Sequence, residues 1–400
     1  MAERDAIIFV PGLSAAPHRR LSHVTAVLCN ELDRAAKDRM ARFEVRPSPH
    51  QAGDPATPFE SIHRVDGDRS FPVADVYFLD HDRIHQADRT PANPLFRVFT
   101  LGLTVLAGVL VWVPAAVRGF LHRTKPLRQM LQLLLALGIL LLLGAYLVTA
   151  VVALVQLVLT ADAQASDGSR LELTPPQALV VVGAVLGVLL PNARQRLADD
   201  AEIYLRMIRY LWLSGPRDTL RGELLTLLER ISERREVGAI HLVGFSFGSL
   251  VAIDTVFPQS KPPTPRIDRV ATLVTLGCPF DLVRTLQPRY FEQRFGPGDA
   301  TPRWLNIYDP IDLLGSNFRD DHRKTPVRRG VGIVGALQPS RPDLNLRWNR
   351  NQRLGAVTGL MLVSLRVHAQ YWGKDPHADT ALGCVATQLL RERAQVDREA

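Results

Sequence analysis

Long apolar runs are confined to one part of this chain. They lie within residues 95–194, whereas the sequence on both sides has shorter apolar segments interrupted by charged residues, as globular domains do. The pattern predicts a membrane-embedded helical insertion at 95–194. This insertion divides one globular domain into an N-terminal part, residues 1–94, and a C-terminal part, residues 195–400.

Three apolar runs within the insertion differ in how well they fit a bilayer. Residues 131–159 contain no charged side chain and exceed the roughly 20 residues that a spanning helix needs. Residues 178–190 are long enough only with their neighbours, and residues 98–117 contain Pro114. We predict a transmembrane helical hairpin formed by the second and third runs, with the first run re-entrant or interfacial.

The charges beside these runs predict the orientation of the hairpin. Lys and Arg residues lie between the first two runs and after the third, whereas the loop at 160–177 is net acidic. Lys and Arg favour the cytoplasmic face, so we expect this loop outside and the globular domain on the cytoplasmic side of the inner membrane. Since both flanks belong to one domain, the number of crossings must be even, and either the first or the third run does not span.

Shorter apolar segments on both flanks predict alternating strands and helices. Before the insertion we expect strands at 6–10 and 73–79, a helix at 23–40, and a loop at 41–68, where Pro, Gly and charged residues are frequent. After it, the predicted elements are helices at 197–213, 218–235, 249–256 and 380–394 and strands at 239–243, 270–276 and 304–308. This alternation indicates an α/β fold with a mainly parallel sheet and helices on both faces.

A Gly-x-Ser-x-Gly segment joins one of these strands to the helix that follows it. A serine nucleophile needs such a tight strand-to-helix turn, because the residues two positions away on either side must be almost without side chains. The start of the helix also offers backbone N–H groups and positive dipole to an oxyanion. We therefore predict Ser246 as a nucleophile. The other residues of the segment are Gly244, Phe245, Phe247 and Gly248.

Four segments carry a resemblance to the α/β-hydrolase family, and in particular to lipase- and esterase-like bacterial members with a membrane insertion. They are the Gly-x-Ser-x-Gly segment, IIFVPGL at 7–13, WLNIYDPIDLLG at 304–315 and VHAQYW at 367–372. The resemblance implies the α/β-hydrolase fold. It also implies an oxyanion hole in which the backbone N–H of Phe247 is joined by that of Gly12 or Leu13.

The family's chain order of Ser, acid and His guides the choice of the other catalytic residues. Asp312 and Asp309 both follow the strand predicted at 304–308. We favour Asp312, which precedes two apolar residues, because Asp309 stands before a proline and is typical of a turn. For the base we predict His368, ahead of the final helix, since the alternatives, His322 and His377, lie in a charged segment and a loop.

These residues predict a serine hydrolase of the esterase or lipase type. Its substrate would be a small-molecule or lipid ester, cleaved through an acyl-enzyme by a Ser-His-Asp triad. Two alternatives stay open: an acyltransferase with the same triad, and a non-catalytic membrane scaffold that keeps the hydrolase fold.

Charge and cysteine content exclude some other functions. The net charge is +8, but the basic residues are scattered or lie beside apolar runs, so we expect the bilayer rather than nucleic acid as a partner. The 3 cysteines are far apart and lack metal-ligand spacing, so no metal is expected. Residues 330–335 formally match a dinucleotide motif but precede Gln338 and Pro339 rather than a helix, so no cofactor is expected either.

Overall fold

A computed structural model defines the fold of most of the two flanks. The residues that it describes are 4–12, 20–36, 42–47, 59–79, 114, 206–207, 209–298, 301–310, 312, 314–319, 326–348, 368, 371 and 380–389.

The chain divides into two compact units. One comprises Met1–Asp88, Pro126–Gln132 and Tyr210–Ala400, and the other Arg89–Lys125 and Leu133–Arg209. All elements given below belong to the first unit. None of the helices that the structure describes is long and apolar enough to cross a bilayer, and the predicted hairpin lies outside the described residues.

In the part of the chain that the structure describes, eight strands form a single mixed sheet that is flanked by helices. The strands are β1 (Arg4–Val10), β2 (Arg42–Pro47), β3 (Phe59–Asp66), β4 (Arg69–Phe78), β5 (Val237–Phe245), β6 (Val270–Leu276), β7 (Arg303–Tyr308) and β8 (Leu344–Arg347). Among the described residues, the main helices are α1 (Arg20–Ala35), α2 (Ser214–Ser232), α3 (Phe247–Val256), α4 (Phe280–Leu286) and α5 (382–389). Residues 210–212 are also helical, and Pro265–Arg269 form a 3₁₀ helix.

The strands follow the spatial order β2-β3-β4-β1-β5-β6-β7-β8. From β4 to β8 neighbouring strands are parallel, and β2 and β3 continue the sheet antiparallel beyond β4. The prediction of an α/β fold with a mainly parallel sheet is therefore confirmed. β1 and β5 lie at its centre, which is why their sequences are nearly continuous apolar runs.

Helix α1 follows β1 and helix α3 follows β5, and the connections that contain them run in opposite directions along the sheet. The chain passes from β1 to β4 on one side, and from β5 to β6 on the other. Because such crossovers are right-handed, the two helices lie on opposite faces. Residues of α1 and α5 share one hydrophobic core with the side chains of Ile7, Phe9 and Val243. The intervening side chains of Ile8 and Leu242 point to the other face.

The prediction of a loop at 41–68 is wrong, because residues within this range form β2 and β3. β2 is the edge strand, and β3 lies between β2 and β4. Phe43 and Ile62 reach the core beneath α1, whereas Val45 is exposed. Charged residues such as Glu44, Arg46 and Arg64 interrupt the apolar pattern of the two strands, which is why the sequence did not predict them. The short edge strand β8 was not predicted either.

Candidate active site

Ser246 occupies a sharp turn between β5 and α3. Its backbone has φ 52 and ψ −121, a conformation that a residue with a side chain rarely adopts. Such a conformation costs about 1–3 kcal/mol and persists only where the surrounding structure imposes it. Here the Ser246 N–H donates to the carbonyl of Leu276 at 2.8 Å, and the Ser246 carbonyl accepts the N–H of Ser249 at 3.0 Å.

The glycines on either side of Ser246 allow the backbone to pack without side chains. A Cβ at Gly244 would lie 2.6 Å from the Cα of Ser249. A Cβ at Gly248 would lie 2.5 Å from the carbonyl oxygen of Pro11 and would overlap that of Val10. The two glycines predicted to form the turn are therefore required by the close approach of the helix to its own strand and to the end of β1.

Four neighbouring parallel strands end at the edge of the sheet that holds Ser246. Gly12 follows β1, and a Cβ there would lie 3.1 Å from that of Ser246. Gly277 follows β6 with φ +55, and Asp312 follows β7. Since the carboxyl ends of parallel strands meet at one edge, residues far apart in sequence converge here.

His368 lies between Ser246 and Asp312. Its Nε2 is 2.6 Å from the Ser246 Oγ, and its Nδ1 is 2.8 Å from the Asp312 Oδ2. The Asp312 side chain is 0% exposed and that of His368 is 12% exposed. With Nδ1–H donating to the carboxylate, Nε2 is the acceptor of the serine proton. The structure thus brings together the three residues that the sequence singled out as nucleophile, acid and base.

Asp312 rather than Asp309 is the carboxylate hydrogen bonded to His368. The second Asp312 oxygen, Oδ1, accepts the backbone N–H of Leu314 at 2.9 Å. Asp309 takes part through its main chain, since its N–H donates to the Tyr371 oxygen at 2.7 Å. Tyr371 in turn donates to the Asp312 Oδ2 at 3.0 Å. Both aspartates are therefore held in one hydrogen-bond network, with different roles.

The imidazole of His368 is enclosed by aromatic rings and a glycine. The Phe245 ring stacks on it at 5.3 Å with an interplanar angle of 24°, and the Tyr371 ring meets it edge-on at 6.0 Å. A Cβ at Gly277 would lie 3.2 Å from the His368 Cε1. Any side chain at position 277 would crowd the imidazole, in addition to straining the positive φ.

The segment after Asp312 is attached to the sheet by side-chain amides of β7 and β8. Asn306 of β7 donates to the Ser316 carbonyl at 2.9 Å, and Asn345 of β8 donates to that of Asn317 at 2.6 Å. The Ser316 N–H donates to the carbonyl of Cys278 at 2.7 Å. These bonds attach the segment to β7, β8 and the turn after β6, so the position of Asp312 is fixed by three neighbouring elements.

Two of the residues predicted to donate to the oxyanion, Phe247 and Gly12, are among those that the structure describes. Phe247 is the first residue of α3, directly after Ser246, and Gly12 lies against the Ser246 side chain. Leu13 lies outside the described residues, as do the rejected histidines His322 and His377.

Sequence reasoning missed Tyr371, Asn306 and Asn345. Tyr371 stands in the VHAQYW segment that suggested His368, so its position beside the histidine was the available signal. The asparagines gave none, because a single amide in a short apolar strand does not indicate which loop will fold onto it.

Comparisons with protein-family models, with curated proteins and with solved structures found no match to this chain, so the site stands on its own geometry.

Proposed function

We propose that this chain is a membrane-anchored serine hydrolase that cleaves carboxylic esters. One observation carries the proposal: the hydrogen bonds that link Ser246, His368 and Asp312 at the carboxyl edge of the sheet. An α/β-hydrolase fold interrupted by a transmembrane hairpin is part of the same proposal, and the catalytic domain faces the cytoplasm.

In the proposed reaction the Ser246 Oγ attacks the ester carbonyl while its proton passes to the His368 Nε2, 2.6 Å away. Asp312 holds the Nδ1–H and stabilises the imidazolium that forms. The imidazolium then gives its proton to the leaving alkoxide, and the acyl group stays on the serine. Water, deprotonated by the same nitrogen, releases the acid and regenerates the serine.

The oxyanion of each tetrahedral intermediate would be bound by the backbone N–H groups of Phe247 and of Gly12 or Leu13. Phe247 starts α3, where the helix dipole favours negative charge. Removing one such donor typically costs about 10²–10³-fold in rate.

The free-energy cost of the strained Ser246 backbone supports a catalytic role over a purely structural one. The Ser246 backbone is strained, and Asp312 is removed from water. The backbone strain reduces folding stability, and a passive scaffold has no need of it. A reactive serine with a buried Asp–His partner is, by contrast, what nucleophilic catalysis requires.

A fluorophosphonate probe tests the proposal directly. The full-length protein should be labelled covalently, and the labelling should disappear in Ser246→Ala. Ser214→Ala is the matched control, because Ser214 is an exposed serine at the start of α2 and its loss should leave labelling unchanged. A folded wild-type protein that resists the probe would show that the site is not a hydrolase. Release of free acid in water, rather than transfer to an added alcohol, separates hydrolysis from acyl transfer.

The membrane part of the proposal depends on the charge-free run at 131–159 and the asymmetry of the flanking charges. Membranes from cells that produce the full chain should retain it after alkaline carbonate extraction. A cysteine introduced by Ser166→Cys, in the acidic loop, should react with an impermeant maleimide in intact cells. One introduced by Ser214→Cys should react only after permeabilisation. Extraction into the soluble fraction would contradict anchoring.

A further inference from the structure

Tyr371 is buried beside the triad, where it contacts Asp312 and His368. Its hydroxyl is 3.0 Å from the Asp312 Oδ2, the same oxygen that accepts the His368 Nδ1–H. The residue is 0% exposed, and its ring lies 5.4 Å from that of Trp348 and 5.9 Å from that of Phe245.

The direction of the Tyr371 hydrogen bond is set by its surroundings. The phenol oxygen accepts the N–H of Asp309 at 2.7 Å, which leaves the hydroxyl proton to point at Asp312. The Tyr371 carbonyl accepts the N–H of Ala381, the residue before α5. Ring, hydroxyl and main chain are therefore all held, so the phenol is a fixed donor to the carboxylate.

The phenol keeps its proton over the whole working pH range. Burial raises the pKa of Tyr371 well above its usual value, and the nearby carboxylates of Asp312 and Asp309 raise it further. Among the residues that the structure describes, these two aspartates are the ionisable groups brought to the phenol, and the imidazole of His368 lies beside it.

We propose that Tyr371 is a positioning residue of the triad, which orients the Asp312 carboxylate toward His368 and sets the pH at which His368 can act as a base. This inference rests on the proposed function for its kinetic consequence, although the hydrogen bonding itself does not.

The effect of Tyr371 on the pH profile depends on whether its hydroxyl stabilises the Asp312–His368 pair more when His368 is neutral or when it is protonated. When His368 is neutral, the buried Asp312 charge depends on its hydrogen-bond donors, including Tyr371. When His368 is protonated, the imidazolium itself compensates that charge. Loss of the phenol therefore destabilises the unprotonated pair more than the protonated one. The pair then binds a proton more tightly, and the rising limb of kcat/KM must shift to higher pH.

Tyr371→Phe is the test, because it removes the hydroxyl and keeps the ring. We expect kcat/KM to fall about tenfold through kcat, with KM unchanged, and the midpoint of the rising limb to increase by about 0.5–1 pH unit. Tyr290→Phe is the matched control, since Tyr290 also donates to a buried carboxylate, Asp254, at 2.5 Å. It should lower thermal stability as Tyr371→Phe does but leave the pH profile unchanged.

A second readout does not need turnover. In protein with ¹⁵N-labelled histidine, the ring resonances of His368, identified by their loss in His368→Gln, report its titration midpoint. The midpoint should rise in Tyr371→Phe and stay in place in Tyr290→Phe. A wild-type protein that resists the fluorophosphonate would refute the hydrolase while this titration still decides the role of Tyr371. An unchanged or lower midpoint in Tyr371→Phe would overturn the inference, whether or not the protein is active.

Discussion

The backbone of Gly248 packs directly on the last residue of β1, so that a Cβ at position 248 would overlap the carbonyl oxygen of Val10. The nucleophile turn is thus built against the strand whose continuation, Gly12, lies beside Ser246. This close backbone approach, together with the pairing of β1 with β5, holds the proposed nucleophile beside one proposed oxyanion donor.

Gly248→Ala should therefore break the site and lower stability together. The added methyl group meets backbone atoms rather than a movable side chain, so we expect a loss of about 1–3 kcal/mol or more in the free energy of unfolding, as for overpacked cores. Fluorophosphonate labelling should fall with it. Chemical denaturation followed by circular dichroism in detergent measures the change.

Gly222→Ala is the matched control for this substitution. Gly222 lies within α2, and a Cβ there has nothing within 4 Å. Alanine should stabilise the helix by about 0.5–1 kcal/mol. Equal effects of the two substitutions would contradict the close approach at Gly248.

The central strands and the turn at Ser246 were predictable because their signal is local. The predicted strand at 270–276 matches β6 (Val270–Leu276), and helix α3 begins at Phe247, only two residues before the predicted start. A buried parallel strand is apolar throughout, and the tight turn requires glycine at positions 244 and 248. In β2 and β3 charged residues interrupt the apolar ones, so neither strand was recognised from its sequence.

The pairing of His368 with Ser246 and Asp312 was inferred from a family's chain order rather than from any local pattern. Sequence alone left Asp309 and Asp312 as alternatives, since both follow the same strand. The structure separates them because the chain turns after Tyr308, so that the Asp309 N–H donates to Tyr371 while the Asp312 carboxylate reaches His368. Such a choice depends on how a loop folds onto its neighbours, as Asn306 and Asn345 also show.

Asn306→Leu tests whether the amide network holds the Asp312 segment. Asn306 is fully buried, and its amide also bonds the Thr275 hydroxyl and the Asn345 side-chain oxygen, at 2.9 and 2.8 Å. Leucine would leave the Ser316 carbonyl and these groups without that partner, at a cost of about 1–3 kcal/mol. We expect a lower free energy of unfolding and a reduced kcat, because Asp312 loses part of its support. A stable variant with unchanged kcat would show that the network is not needed for activity.

Asp75 gives a pH dependence of stability away from the site. Burial raises its pKa above the usual value, although the Ser61 hydroxyl and the Arg4 and Arg234 guanidinium groups act in the opposite direction, and Glu236 adds to the increase. The folded state therefore holds this proton more tightly than the unfolded chain. The contribution of Asp75 to the free energy of unfolding should therefore increase as the pH falls from above the raised pKa to below the unfolded value near 4.

The comparison with Asp75→Asn isolates this contribution, because other carboxylates titrate in the same range. The difference in free energy of unfolding, wild type minus Asp75→Asn, should increase steadily as the pH is lowered through that window. Urea denaturation at a series of pH values measures it. A difference that decreases on acidification would mean that Asp75 is stabilised as an anion.

The two aspartates after β7 provide the sharpest test of the site. Asp312→Asn should reduce kcat/KM by about 10⁴-fold, because the amide no longer holds the His368 tautomer in which Nε2 accepts the serine proton. Asp309→Asn preserves the backbone N–H that donates to Tyr371, so we expect a loss of less than about tenfold. Steady-state kinetics on a short soluble ester measures both, with circular dichroism to verify folding. If Asp309→Asn were the more damaging substitution, Asp312 could not be the acid, and the hydrogen-bond chain that supports the proposed function would have another purpose.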